Sequence, residues 1–301
     1  MTMRTSSASQ QRQNLLDLQA TQERMQANST RITSGKRIVT PGEDPTGAAL
    51  IMDFGASISA NTQYLKQVDA ASGFLTSTED AVNGAVSSVM RLQELAVSGS
   101  SASIPEVNSI LQNLLALANT QSQGKYLFSG TKTDVPPFGD ASSPYTYQGN
   151  QADINLGVSA SNAVTTNLTG DDVFQGVNYP VPSGADPTTF SADIFKVATD
   201  LANGLQNNNQ TLVKQATTNL DAVLGNLNQA LATLGGRQAG LQSLKDTLSG
   251  FNISLQSLQS GQQDTDYALA MTQYTQDQTI QSATLSVMAK VNKTNLFDYL
   301  A

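Results

Sequence analysis

The chain has 301 residues, of which 39% are hydrophobic, 13% charged and 6% aromatic, and its formal net charge is -8. It contains no His, Cys or Trp, which excludes a Ser-His-Asp triad, a thiol nucleophile, an imidazole base and the usual zinc and haem sites. Its acidic balance speaks against nucleic acid, whose backbone calls for clustered cations, and no apolar run approaches the roughly 18 residues of a membrane span.

The first ten residues lack the apolar stretch of a secretory signal peptide, which predicts either a cytoplasmic protein or export without a cleaved signal. From Leu15 the positions Leu15, Leu18, Gln22, Met25, Ser29 and Ile32 alternate by three and four, the seam of a coiled coil. Gln22 and Ser29 are polar, so this seam is weak alone and waits for partners. Thr40 to Gly47 breaks the pattern with Pro and Gly, and Asp44 before Pro45 reads as an N-cap followed by proline at the first helical position. The alternation then runs from Phe54 through Asn61, Leu75 and Val89 to Ala96, a helical rod of about 60–65 Å. Ser98 to Pro105 reads as a turn. Val107, Leu111, Leu114, Ala118 and Gln121 carry the seam on to Gly124, and the two helices are expected to pack antiparallel.

Between Tyr126 and Phe195 the composition changes to Pro, Gly and short alternating runs. Gln148-Gly149-Asn150 reads as a hairpin turn between Tyr145–Tyr147 and Asp153–Leu156. Helical spacing returns with Leu220, Leu224, Leu227, Leu231 and Leu234. It continues with Leu241, Leu244, Leu248, Phe251, Leu255 and Leu258 in inverted order, so a local change in supercoil or a bend is expected at Gly235-Gly236. After Ser260-Gly261 a last helix carries Tyr267, Met271, Tyr274, Leu285, Met288, Val291 and Leu296. The expected fold class is mainly α: long antiparallel helical rods and coiled coils formed by the N- and C-terminal segments, with a small β-rich inserted domain. Residues 1–40 and 262–301 form a terminal coiled-coil assembly domain, 41–130 and 196–261 a helical rod domain, and 131–195 the insertion.

Several motifs resemble the flagellin superfamily, and within it the hook–filament junction branch. The run Thr33-Ser34-Gly35-Lys36-Arg37-Ile38 leads into the acidic loop that contains Glu43, Asp44 and Pro45. Gly124-Lys125-Tyr126-Leu127-Phe128-Ser129-Gly130 is similar to the branch's Gly-basic-Tyr-Leu-Phe-Ser-Gly signature. Asp264-Thr265-Asp266-Tyr267-Ala268 and the ending Leu296-Phe297-Asp298-Tyr299-Leu300 point the same way. After Gly235-Gly236-Arg237-Gln238 the sequence departs: relatives tend to carry an Asn-Arg pair where Ala239 and Gly240 stand. The resemblance implies a secreted, self-assembling structural subunit of the flagellum. Its partners would be further copies of itself, a FlgK-like junction protein, flagellin, and a cytoplasmic export chaperone on the C-terminal helix.

Each motif also has a plainer reading. The string at 124–130 serves as a helix stop, with Gly124 as a C-cap and Gly130 closing a turn. Glu43 and Asp44, Asp264 and Asp266, and Asp171-Asp172 have no cation-ligand spacing and read as caps and turns. The leucine rows of 54–121 and 220–258 read as an intramolecular bundle core. For 15–32 and 267–296 an intermolecular role is expected, because polar seam positions bury too little area for a stable hairpin. The assembly residues are therefore Leu15, Leu18, Met25, Ile32, Tyr267, Met271, Tyr274, Leu285, Met288, Val291 and Leu296. A filament-forming flagellin is the alternative within the family, and an enzyme or small-molecule binder housed in the insertion is the alternative outside it.

Overall fold

Helix boundaries follow the capping residues. The structure, a computed structural model, describes residues 2–139, 145–159, 163–181, 186 and 188–300, with side chains 2–8, 10 and 291–300 outside that description. Helix α1 (Thr2–Ser34) ends at Gly35, whose φ of 71° is left-handed and whose N–H still donates to Arg31 O at 2.9 Å. Helix α2 (Pro45–Ser98) starts on Asp44: its Oδ1 accepts from Gly47 N–H at 2.8 Å, and Pro45 stands where no donor is needed. Gly99, at φ 62°, ends α2, and a single 3-10 turn, Ser101–Ser103, leads into α3 (Ile104–Ala118) with Pro105 in its first turn. Strands β1 (Gln121–Ser122) and β2 (Lys125–Tyr126) form one two-stranded sheet, β3 (Asn155–Gly157) and β4 (Ala163–Thr165) a second. Helix α4 (Gly170–Phe174) is short. Helix α5 (Ile194–Gln206) is capped by Asp193, whose Oδ1 accepts from Phe195 and Lys196 N–H at 2.9 and 3.1 Å. Helices α6 (Gln210–Gln263) and α7 (Tyr267–Leu300) complete the chain.

These elements form two compact units. One comprises Met1–Ala60 with Phe251–Ala301, the other Asn61–Gly250. In the second unit, Asn61, Val68, Leu75, Val82, Val89 and Ala96 on α2 are buried at intervals of seven. Val213, Leu220, Leu227, Leu234, Leu241 and Leu248 are buried at the same interval on α6. Cross-links run in descending order: Asn61 Nδ2 donates to Leu248 O, Lys245 pairs with Asp69, Gln238 Nε2 donates to Glu79, and Gln93 Nε2 donates to Asp221. The two rows are therefore antiparallel. Helix α3 lies antiparallel to α2 as well, with Asn113 bonded to Ser88 and Glu106 to Arg91. Its buried residues are Val107, Leu111, Leu114 and Ala118, the four apolar positions of the expected seam.

Two features differ from the sequence reading. Helix α6 runs unbroken through Gly235-Gly236. The buried row at every seventh residue passes straight through, and only the flanking leucines change side, from four residues after each buried position to three. Seven residues close on two turns whichever side the flank occupies, so the inversion demands no break. The expected hairpin at Gln148-Gly149-Asn150 does not form either. Tyr147 bridges to Phe138 instead, and Asn155–Gly157 pairs with Ala163–Thr165. The residues of that stretch serve an aromatic cluster in which Phe174 meets Phe128, Phe138 and Phe195 within the second unit's core.

Candidate functional site: an assembly surface on the terminal helices

The two units bury apolar side chains to very different degrees. Of the buried hydrophobic residues described, only Ile38, Ala48, Leu255 and Ala270 lie in the terminal unit. Conversely, most of the large exposed hydrophobics lie there, on each of its four helices: Leu15 and Leu16, Leu50 and Met52, Phe251 and Leu258, Leu269 and Ile280 among them.

Within that unit α1 and α7 run antiparallel. Their register is set near the helix junctions, where Arg37 N–H donates to Gln263 O at 2.7 Å and Thr265 N–H to Gly35 O at 3.0 Å. Arg37 also pairs with Asp44 at 3.6 Å and donates to Gln262 O at 2.9 Å. Glu43 accepts from Val39 N–H at 3.3 Å, so both acids of the loop are structural. Asp266 caps α7 through Leu269 N–H at 3.0 Å, and Asp264 accepts from Ser260. Further along, Arg24 donates to Asp277 Oδ1 at 3.1 Å and to Thr21 Oγ1 at 3.1 Å.

The seam between the two helices mixes polar and apolar side chains. On α1 the inward positions are Asn14, Leu18, Thr21, Met25, Asn28 and Ile32, and on α7 they are Ala270, Tyr274, Asp277, Gln281, Thr284 and Met288. Of the sequence-predicted assembly residues, Leu18, Met25, Ile32, Tyr274 and Met288 thus lie half-buried in the seam. Leu15, Tyr267, Met271 and Leu285 are each about half exposed on its outside. The expected seam positions Leu15, Gln22 and Ser29 stand one residue after the true ones, because Asn14, Thr21 and Asn28 hold those places. Val291 and Leu296 belong to α7, but their side chains lie outside the described ones. Sequence reasoning passed over Arg24–Asp277 and the exposed Leu16, Leu269, Ile280 and Val287. A heptad count that admitted polar residues would have found the first.

The signature residues sit in the other unit and do something else. Gln123 and Gly124, at φ 52° and 76°, make a tight hairpin turn between β1 and β2, so Gly124 is a hairpin residue and not the C-cap of α3. Tyr126 N–H donates to Thr133 O and is followed by Leu127, Phe128 and Ser129, all fully buried. Phe128 O accepts from Gly170 N–H at 2.8 Å and from Tyr147 Oη at 2.9 Å. Burial, with nearby Asp171 adding to it, pushes the Tyr147 phenol well above its usual range, so it stays protonated as a donor. Gly130, at φ 66°, leaves no room for a side chain against Asn150. The signature is the anchor by which the insertion joins the bundle core.

Among the described residues no group of three or more acidic side chains is placed to hold a metal ion, and no helix is long and apolar enough to cross a membrane.

Residues 5–133 match the bacterial flagellin N-terminal helical region, and residues 207–300 the bacterial flagellin C-terminal helical region. The chain belongs to the flagellin family. Flagellar hook-associated protein 3 of Escherichia coli strain K12 is 22% identical to it over 315 residues, covering 98% of this chain and 99% of that one. A solved structure from Vibrio parahaemolyticus, assigned as a flagellar hook-associated protein, superposes with a TM-score of 0.65 at 20% identity, over 74% of this chain and 100% of that one. The flagellar junction protein FlgL of Legionella pneumophila gives 0.57 at 18% identity, over 73% and 100%. At such identities these structures show a shared fold. The helical termini that match the flagellin regions are the ones that carry the outward apolar residues.

Proposed function

We propose that this chain is a structural subunit of the bacterial flagellum that forms the layer between the hook and the filament. Copies of it would contact one another, a FlgK-like junction protein on the hook side, and flagellin on the filament side. The observation that carries this reading is the terminal unit, whose seam is half polar and whose outer faces carry most of the large exposed hydrophobic residues. Such a unit gains more by packing against neighbours than by closing on itself. The names of the relatives, hook-associated protein 3 and junction protein FlgL, favour the junction over the filament itself. Coupled folding and assembly also fits export without a cleaved signal, with a chaperone holding α7 until neighbours cover it.

Deletion of the gene tests the reading. The expected outcome is a cell that keeps its hook, loses its filament and releases flagellin monomer into the medium. A complementing chain with Leu285→Asp, which places a charge on the exposed face of α7, should fail to restore filaments. Normal filaments in the deletion strain would overturn the junction role. Loss of filament with no flagellin in the medium, and with the junction still in place on the hook, would favour the filament-forming alternative. Co-purification of a cytoplasmic partner that is lost on truncation before Tyr267 tests the chaperone.

A further inference from the structure

The α1–α7 pair has two grooves, one along each flank of its seam, and they carry opposite charge. One is lined by Arg24, Asn28, Arg31, Gln273, Asp277 and Ile280. The other is lined by Glu23, Met25, Gln26, Tyr274 and Gln281, with no cation among its lining residues. At 100° per residue the arginines and the glutamate's neighbours fall on opposite sides of the line through Thr21, Met25 and Asn28. The basic groove holds one occupied carboxylate site and one incomplete copy of it. In the first, Arg24 donates to Asp277 Oδ1 and to Thr21 Oγ1, each at 3.1 Å. Seven residues on, Arg31 and Asn28 hold the corresponding positions in the same groove. There α7 presents no acid, Arg31 reaches Glu43 only at 3.8 Å through Nη2, and its Nε is buried with no hydrogen-bond partner.

From these features we infer that the Asn28–Arg31 site is an intermolecular carboxylate socket, filled by Glu23 of a second copy of this chain packed side by side in the assembly. This rests on the reading of the terminal unit as an assembly surface and names one contact within it. Charge complementarity selects the occupant. Glu23 lies exposed in the opposite groove, and among the described residues it has no ion-pair or hydrogen-bond partner. The flanks match in apolar character too. Counted from the seam, Leu269, Ile280 and Val287 fall on the Arg31 side of α7, and Tyr267, Met271 and Leu285 on the Glu23 side. Two different faces that complement each other make a heterologous contact, which propagates into a ring or a helix rather than a closed pair. The separation of Glu23 from Arg31, eight residues along α1, amounts to about 12 Å of stagger between neighbouring copies.

A mutant cycle on the full chain tests the contact. Self-association would be followed by sedimentation and, in cells, by filament formation, with Glu23→Gln, Arg31→Gln and the double variant. Each single change is expected to weaken self-association roughly fivefold to tenfold, and the double variant no more than either single one, the signature of a shared pair. Because the chain has no cysteine, Gln19→Cys with Ala27→Cys places one thiol on each flank of α1 with the spacing that the stagger requires, and mild oxidation of assembled material should give a ladder of cross-linked copies. Additive losses in the double variant, or oxidation that yields no ladder, would overturn the Glu23–Arg31 contact. So would single variants that assemble normally. The Leu285→Asp chain separates the two levels: if it fails to assemble while the Gln variants do not, the assembly surface stands and this socket falls. If it too assembles normally, the reading of the surface is what has failed.

Discussion

Two residues show how much of this structure turns on single atoms. Gly130 has a left-handed φ of 66° and lies against Asn150, so Gly130→Ala introduces both backbone strain and a collision with the loop that Ser129 O and Tyr147 Oη hold in place. A loss of about 2 kcal/mol is expected from the conformational strain and the displaced contact together, read as a lower midpoint in urea. Asp193 is a different case. Its carboxylate caps α5, yet burial raises its pKa above the ordinary range against the opposing effect of its backbone hydrogen bonds. A carboxyl with a raised folded pKa binds its proton more tightly when folded, so its contribution to stability falls as pH rises through that range. Asp193→Asn keeps the cap acceptor without the charge. It should melt above the parent protein at neutral pH, with the gap closing as pH drops below about 4, where the carboxyl is protonated in both states. Asp193→Ala removes the acceptor and should cost about 1 kcal/mol at low pH and less at neutral pH, where the buried charge already weakens the parent. A gap that widened on acidification would contradict this.

At the scale of elements, the sequence was most legible where apolar residues are large and strictly spaced. The row Val107, Leu111, Leu114, Ala118 and every seventh residue from Asn61 to Ala96 on α2 and from Val213 to Leu248 on α6 are buried within one unit, whereas Phe251 and Leu258 of the expected α6 row are exposed in the terminal unit. It was less legible where the seam is polar. Leu15 was read as a seam residue when the helix turns Asn14 inward, since apolar spacing points at an interface without saying which one. In the insertion, strand pairing depends on long-range partners, and the short runs about Tyr147 and Leu156 could not disclose them. The glycines of α6 give a direct check. Nothing stands within 4 Å of a side chain added at Gly235 or Gly236, and both sit inside a continuous helix. Gly235→Ala and Gly236→Ala should each stabilise the chain by about 0.8–1 kcal/mol through helix propensity alone, raising the melting temperature by a few degrees. A fall in melting temperature would mean that the helix needs to flex there.

For the whole molecule, the contrast between the units predicts how the isolated chain comes apart. The second unit has one continuous apolar core that ties helices, insertion and signature together. The terminal unit buries few apolar residues and holds its helices by a half-polar seam, the part-buried Arg24–Asp277 pair, two more exposed ion pairs worth little in water, and junction hydrogen bonds. Local opening should therefore begin at the ends at a small fraction of the cost of unfolding the core. The chain is well marked for the measurement. Arg12, Arg24, Arg31, Lys36, Arg37 and Lys290 lie in the terminal unit, while Lys66, Arg91, Lys125, Lys196, Lys214 and Lys245 lie in the other. Brief trypsin treatment of dilute protein, read by mass spectrometry, should first trim α1 and α7 and leave a resistant fragment that begins at Ile38 and ends at or before Lys290. In assembled material the same sites should be protected, because neighbours then cover the outward apolar faces. First cuts at Lys125, Lys132 or Lys196 with both ends intact would reverse the order of stability argued here, and the terminal helices would then close on themselves without needing a neighbour.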